Sequence, residues 1–319
     1  MNRILVPLNN RARLKELIDA GAEEFYMGFH DEEWVKEFGD FTEINRMSGF
    51  KKYANPYSFT ELLEIAKEIK SYGKYIFVTI NSASYSQKEL DKLKQYFIEF
   101  KKVNIDGVIV STPELTILAK ECGIEPVAST MCGIFNADIV AYYKKLGMKR
   151  MILPRDLSLD EIEAIIKTHP DVSYEVFLMR NGCQFSDSHC LGFHREKGSI
   201  CGMLNGSLYR TNARDTDFKT QHDFELNNSL YVKCFHRIAA CGLCALYRFY
   251  KLGVSAYKIV GRSENPNGII TDVKIVKENL KIIESCSSEE EYLKKMKMPE
   301  NARDACKLGL SCYYPEIRF

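Results

Sequence analysis

Short, β-rich apolar runs recur along this chain about one helix apart, and that alternation restricts the fold more than any other feature. The runs are ILVPL from Ile4, EFYMGF from Glu24, YIFVTIN from Tyr75, GVIVS from Gly107, EPVAS from Glu125, RMILP from Arg150, YEVFLM from Tyr174 and AYKIVG from Ala256. Between them, apolar residues at three- and four-residue spacing predict helices near 11–20, 58–72, 86–103, 112–122, 136–146 and 158–168. Ser86 with Glu89 and Ser158 with Glu161 have capping-box spacing, and Ser58 or Thr60 stands ahead of a glutamate. Parallel strands need crossover helices. Eight strand–helix units in 319 residues therefore predict an α/β fold, a (β/α)8 TIM-like barrel that is closed, distorted or incomplete, with a doubly wound open sheet as the second choice.

Two segments interrupt the rhythm, residues 30–57 after the second strand and 180–250 between the seventh and eighth. Insertions that follow strand C-termini lie at a barrel's active face, so both are candidate pocket walls. The expected organisation is a barrel domain over 1–285 that includes the cysteine-rich insertion 180–250, followed by a C-terminal extension over 286–319 packed on it.

Charge excludes a partner class. Lys plus Arg number 44 and Asp plus Glu 43, a net +1, so no global field draws the chain to DNA or an acidic membrane. The start MNRILVPLNNRARLKEL has no signal-peptide core, and the longest uncharged apolar run, IAACGLCAL, is too short to span a bilayer; the expectation is a cytoplasmic protein. In that setting eleven cysteines point to reduced thiols kept for packing, metal binding or reactivity rather than to disulfides.

The stretch NGCQFSDSHCLGFHREKGSIC places Cys183, Cys190 and Cys201 in one polar loop, and Cys234, Cys241 and Cys244 follow within the same insertion. Zinc sites normally use a tight pair, and only Cys241 with Cys244 has that spacing. Irregular intervals suit an iron–sulfur cluster, whose thiolates need proximity in space more than a fixed interval. RIAACGLCALYRFYKLG reads as a helix, with Cys241 and Cys244 on one face, one of them ligating and the other packing.

Several strings resemble peptidase family U32, the collagenase-like proteases: LIDAGAEEFYMG, TIN at 79–81, KVNIDGVIVSTPEL, AST with FNADIVAYYKKLGMKRMILPRDLSLDEI, YEVFL leading into the cysteine loop, and LGVSAYKIVGR ending at Arg262. The resemblance spans roughly 4–280 and leaves the tail CKLGLSCYYPEIRF, with Cys306 and Cys312, outside it. It implies a (β/α) barrel, and for the short iron–sulfur members a [4Fe–4S] cluster supporting oxygen-independent hydroxylation of a ubiquinone ring or of RNA bases. Carried over residue by residue, the cluster ligands are Cys183, Cys190, Cys201 and Cys241, with Cys244 or Cys234 as the alternative fourth. The chain departs from the family pattern at Met131, Met179 and Val260, where the family has Gln, His and Glu.

Inward-facing alternation groups Lys258, Val260 and Arg262 on one strand and Glu175, Phe177 and Met179 on its neighbour, and predicts that Glu175 pairs with Lys258, because an unpaired interior charge is costly. Asn81, Ser129, Thr130 and Arg155 close predicted strands at their C-terminal ends, so Asn81, Thr130, Arg155 and Glu175 are the candidate catalytic residues. His189 and His194 flank cluster cysteines as proton donors or as bases for a thiol nucleophile. No HExxH, GxSxG, P-loop or GxGxxG string is present. Three functions stand open: an iron–sulfur redox or hydroxylation enzyme, a peptidase or other hydrolase, and a non-catalytic cluster-bearing partner or sensor. The expected partners are a small-molecule, RNA or peptide substrate, together with an electron donor or a related partner protein.

Overall fold

The computed structural model describes residues 2–39, 42–183, 186–190, 240–299, 306 and 312–317. The eight apolar runs form eight parallel strands: β1 (Arg3–Pro7), β2 (Glu24–Met27), β3 (Tyr75–Ile80), β4 (Gly107–Val110), β5 (Pro126–Ala128), β6 (Arg150–Ile152), β7 (Ser173–Met179) and β8 (Ala256–Ile259). They hydrogen-bond in chain order, and β8 returns to β1, closing the barrel. Neither the open sheet nor an incomplete barrel is found. β2, β4 and β8 are buried at every position, as strands covered on both faces require.

The helices clothe the barrel: α1 (Leu14–Ala20), α2 (Glu32–Phe38), α3 (Phe59–Ser71), α4 (Gln87–Lys102), α5 (Pro113–Glu121), α6 (Ala137–Lys145), α7 (Leu159–Thr168), α8 (Leu246–Lys251), α9 (Pro266–Glu284) and α10 (Glu289–Lys295). Ser58, Ser86 and Ser158 form capping boxes with Glu61, Glu89 and Glu161 and so fix where α3, α4 and α7 begin. α4 buries Leu93, Tyr96, Phe97 and Phe100, one stripe at helical spacing. No helix among the described residues is long and apolar enough to cross a membrane.

The expected helix through Cys241 is not formed. Ala240 to Gly242 is not helical: Cys241 bridges Met179 on one side and Cys312 on the other, and helical turns begin only at Leu243. The backbone of 240–242 is engaged by these neighbours, since Arg180 N donates to Ala240 O at 2.6 Å and Tyr313 N to Cys241 O at 3.0 Å. Residues 312–317 of the tail pack here, with Tyr314 buried and its hydroxyl donating to Phe177 O at 2.8 Å.

Charge, not only aliphatic bulk, fills the lower half of the barrel. Glu24, the first residue of β2, accepts from Arg3 at 3.0 Å and, across the lumen, from Arg150 Nη1 at 3.0 Å. Arg150 Nε donates in turn to Glu175 at 2.6 Å, and Lys258 Nζ lies 3.4 Å from the other Glu175 oxygen, which is the expected strand-to-strand pair. Arg150 covers the Phe77 ring and Lys258 the Tyr26 ring, at 4.5 and 4.2 Å. Burial alone would raise the Glu175 carboxyl, but Arg150 and Lys258 outweigh it and hold the carboxyl below its ordinary value.

Candidate functional site

The strand C-termini and the two insertions meet at the opposite, upper end. Just past β3, Asn81 donates through Nδ2 to Ser129 Oγ at 3.0 Å and accepts from the Arg46 backbone N–H at 3.4 Å. Ser129 follows β5 and caps the 3-10 turn Thr130–Cys132 that carries the buried Thr130. Arg46, from the insertion after β2, donates to Asp187 Oδ1 at 2.6 Å, and Arg155, beyond β6, donates to Asp187 Oδ2 at 2.9 Å. Arg155 also donates to Asn181 O, and its guanidinium lies 4.2 Å over the Phe177 ring. A single carboxylate, 2% exposed, thus ties together two insertions and the end of a strand. Burial opposes ionisation of Asp187, but Arg155 and Arg46 hold its carboxyl well below the usual carboxylate range.

Three of the four candidate catalytic residues therefore share this end: Asn81 and Arg155, linked through Arg46 and Asp187, with Thr130 on the adjacent turn. Glu175 does not join them and sits in the charged network of the lower barrel. Arg46 and Asp187 escaped the sequence reading because both lie in aperiodic loops. The one usable signal was that Asp187 falls between two loop cysteines.

A second group stands beside the first. Arg262, after β8, is 8% exposed, and its Nη1 donates to Asn45 Oδ1 and Asn55 Oδ1 at 3.1 Å and to Thr79 Oγ1 at 2.9 Å. Gly28 makes room for it. A Cβ on Gly28 would lie 2.6 Å from Arg262 Nη1 and would overlap Asn55 Oδ1. Gly28→Ala is expected to destabilise the fold by about 1–3 kcal/mol through overpacking, and a thermal melt within a degree of wild type would show that the asparagine pair moves aside freely.

The thiols divide by segment. Cys183 is close enough to Arg155, and Cys190 to Arg46, for the charges to interact, and Cys190 N donates to Asp187 O at 3.1 Å. Cys241 lies on the non-helical segment opposite Met179, four residues before Cys183 in the chain. Burial pushes the Cys241 and Cys244 thiols up to about 12, so neither is a thiolate at neutral pH without a cation to pair with. His189 stacks on Phe135, with Nδ1 3.3 Å from Ser188 Oγ. Cys201, Cys234 and His194 lie outside the described residues. Among the described residues no three Cys, His, Asp or Glu side chains converge as a metal site.

The sequence model of peptidase family U32 matches residues 9–315. The chain belongs to that family. The match takes in Cys312 and Tyr313 and so runs past the resembling stretch into the tail, as far as residue 315. An uncharacterised protease of Methanocaldococcus jannaschii is 25% identical over 292 residues, covering 87% of this chain and 65% of that protein. A collagenase of Porphyromonas gingivalis is 23% identical over 291 residues, 86% of this chain and 64% of that protein. This U32 chain thus spans a little under two-thirds of the length of these relatives. A tRNA hydroxylation protein of Escherichia coli is 33% identical over 129 residues, 39% of this chain and 28% of that protein. A solved U32 peptidase, 16% identical, covers 60% of this chain and 73% of its own, with a TM-score of 0.46.

Proposed function

We propose that this U32 chain is an iron–sulfur protein that supports oxygen-independent redox or hydroxylation chemistry on a small-molecule or RNA substrate, with Cys183, Cys190, Cys201 and Cys241 holding one [4Fe–4S] cluster. The observation that carries the reading is the placement of Cys183 beside Arg155 and Cys190 beside Arg46, on either side of Asp187 at the barrel mouth. Two guanidiniums near this loop would balance part of the negative charge of a cluster held by four thiolates. The Met179–Cys241 bridge brings a third thiol to the root of the same loop. When bound, the cluster supplies one-electron transfer. Asn81, Thr130 and Arg155 stand where a substrate entering the mouth meets the protein, and Asp187 fixes the directions of both arginines. Relatives named for tRNA hydroxylation agree with such chemistry.

The hydrolase reading draws on one relative named as a protease and one named as a collagenase. Against it, the buried Cys241 and Cys244 thiols are far from the acidity of a nucleophilic cysteine.

Iron and sulfide content of anaerobically purified protein is the test. Wild type is expected to carry about four irons per chain with a broad visible absorption, and Cys183→Ala and Cys241→Ala are each expected to lose them. Zinc, or no metal, in protected wild-type protein removes the cluster.

A further inference from the structure

Arg262 is a buried cation whose partners among the described residues are all neutral. Its Nη1 is fully engaged by Asn45, Asn55 and Thr79, while Nε and Nη2 make no hydrogen bond to a described residue. The nearby carboxylates are committed elsewhere: Asp187 to Arg46 and Arg155, and Glu264 to Asn181 at 3.2 Å and Arg180 at 3.9 Å. Val260, two residues back on the same segment, brings no charge. The residue is 8% exposed and its free nitrogens are not sealed from solvent, so an anion entering the mouth could reach them and supply the missing counter-charge. The surrounding amides and hydroxyl hold one nitrogen rigidly and leave the other edge of the fork for a two-point contact, the geometry with which arginine binds oxyanions. Burial lowers the guanidinium to about 10, with Tyr26 opposing the shift and Arg46 adding to it.

We propose that Arg262, cradled by Asn45, Asn55 and Thr79, is an oxyanion subsite of the barrel mouth that takes the carboxylate or phosphate group of a ligand. Thr79, on β3, is two residues before Asn81, which lies just past the strand, so an anion held by Arg262 would present the rest of its molecule to Asn81, Ser129 and the Arg46–Asp187–Arg155 bridge. Its binding does not depend on metal, so the subsite stands or falls separately from the cluster.

The test is thermal melting and calorimetric titration of the purified full chain in a low-anion buffer, with inorganic phosphate in one series, malonate in another and chloride at matched ionic strength in a third. Phosphate, malonate or both are expected to raise the melting midpoint by about 3 °C or more at saturation, with chloride inert. The more effective of the two identifies the ligand's group as phosphate or carboxylate. In Arg262→Met the rise should vanish. Val260→Glu, which keeps the guanidinium and supplies an internal carboxylate, should weaken binding by about tenfold or more and guards against misfolding of the first variant. A rise that survives in both variants, or is matched by chloride, or is absent from wild type, overturns the subsite.

Discussion

Glu175→Ala is expected to lower the stability of the barrel by about 3–5 kcal/mol, the usual cost of breaking a buried ion network from one side. The carboxylate is fully buried and answers Arg150 at 2.6 Å and Lys258 at 3.4 Å, and its removal leaves, among the described residues, Glu24 as the counter-charge for Arg150 and none paired with Lys258. Urea unfolding should show a lower midpoint at unchanged slope, and Glu175→Gln, which keeps the shape, should recover only part of the loss. Glu175 entered as a catalytic candidate, and the same variant decides between the two roles. Reduced turnover or iron content with an unmoved midpoint would return it to the chemistry; a lower midpoint with normal iron loading makes it part of the scaffold.

The strands were readable because each is covered on both faces and so appears as a short apolar run, and the serine–glutamate spacing marked three helix starts that the structure confirms. The charged floor was only half readable. Strand alternation brings Glu175 to Lys258 on neighbouring strands, but Glu24 and Arg150 stand 126 residues apart and meet only across the closed lumen. Nothing local in EFYM or RMI announces that contact. α2 escaped because seven residues inside a long insertion carry too little periodicity to stand out. The segment around Cys241 failed for a different reason: its composition suits a helix, but its backbone hydrogen bonds go to the end of β7 and to the tail, and tertiary pairing outweighs propensity there.

The site was legible where it rests on strand ends and obscure where it rests on loops. Asn81, Ser129 and Arg155 follow strands whose positions were known, so their place at the mouth follows from the barrel itself. Asn45, Asn55 and Arg46 come from the first insertion, and their meeting with Arg262 and Asp187 depends on the path of that loop and on the missing side chain of Gly28. The bridge at Asp187 is the joint between the two kinds of element.

Asp187→Asn should therefore cost on the order of 3 kcal/mol at neutral pH, because two guanidiniums that shared a buried carboxylate are left facing a neutral amide. The pH dependence gives the prediction its sign. An unfolded aspartate titrates near about 3.9, whereas Arg155 and Arg46 hold the folded carboxyl well below that against the opposing effect of burial. Around pH 4 the native state thus binds fewer protons than the unfolded chain. The stabilisation from Asp187 is complete above that range and drains away as the pH falls through the folded value. Wild type and Asp187→Asn should differ most near neutrality and converge in acid, in denaturant unfolding of metal-free protein followed from about pH 7 to pH 3. On the proposed cluster reading, with Cys183 and Cys190 near the same arginines, the variant purified without oxygen at neutral pH should also retain less iron than wild type. A stability gap that stays constant across the pH range would mean that the side chain's hydrogen bonds, and not its charge, join the two insertions.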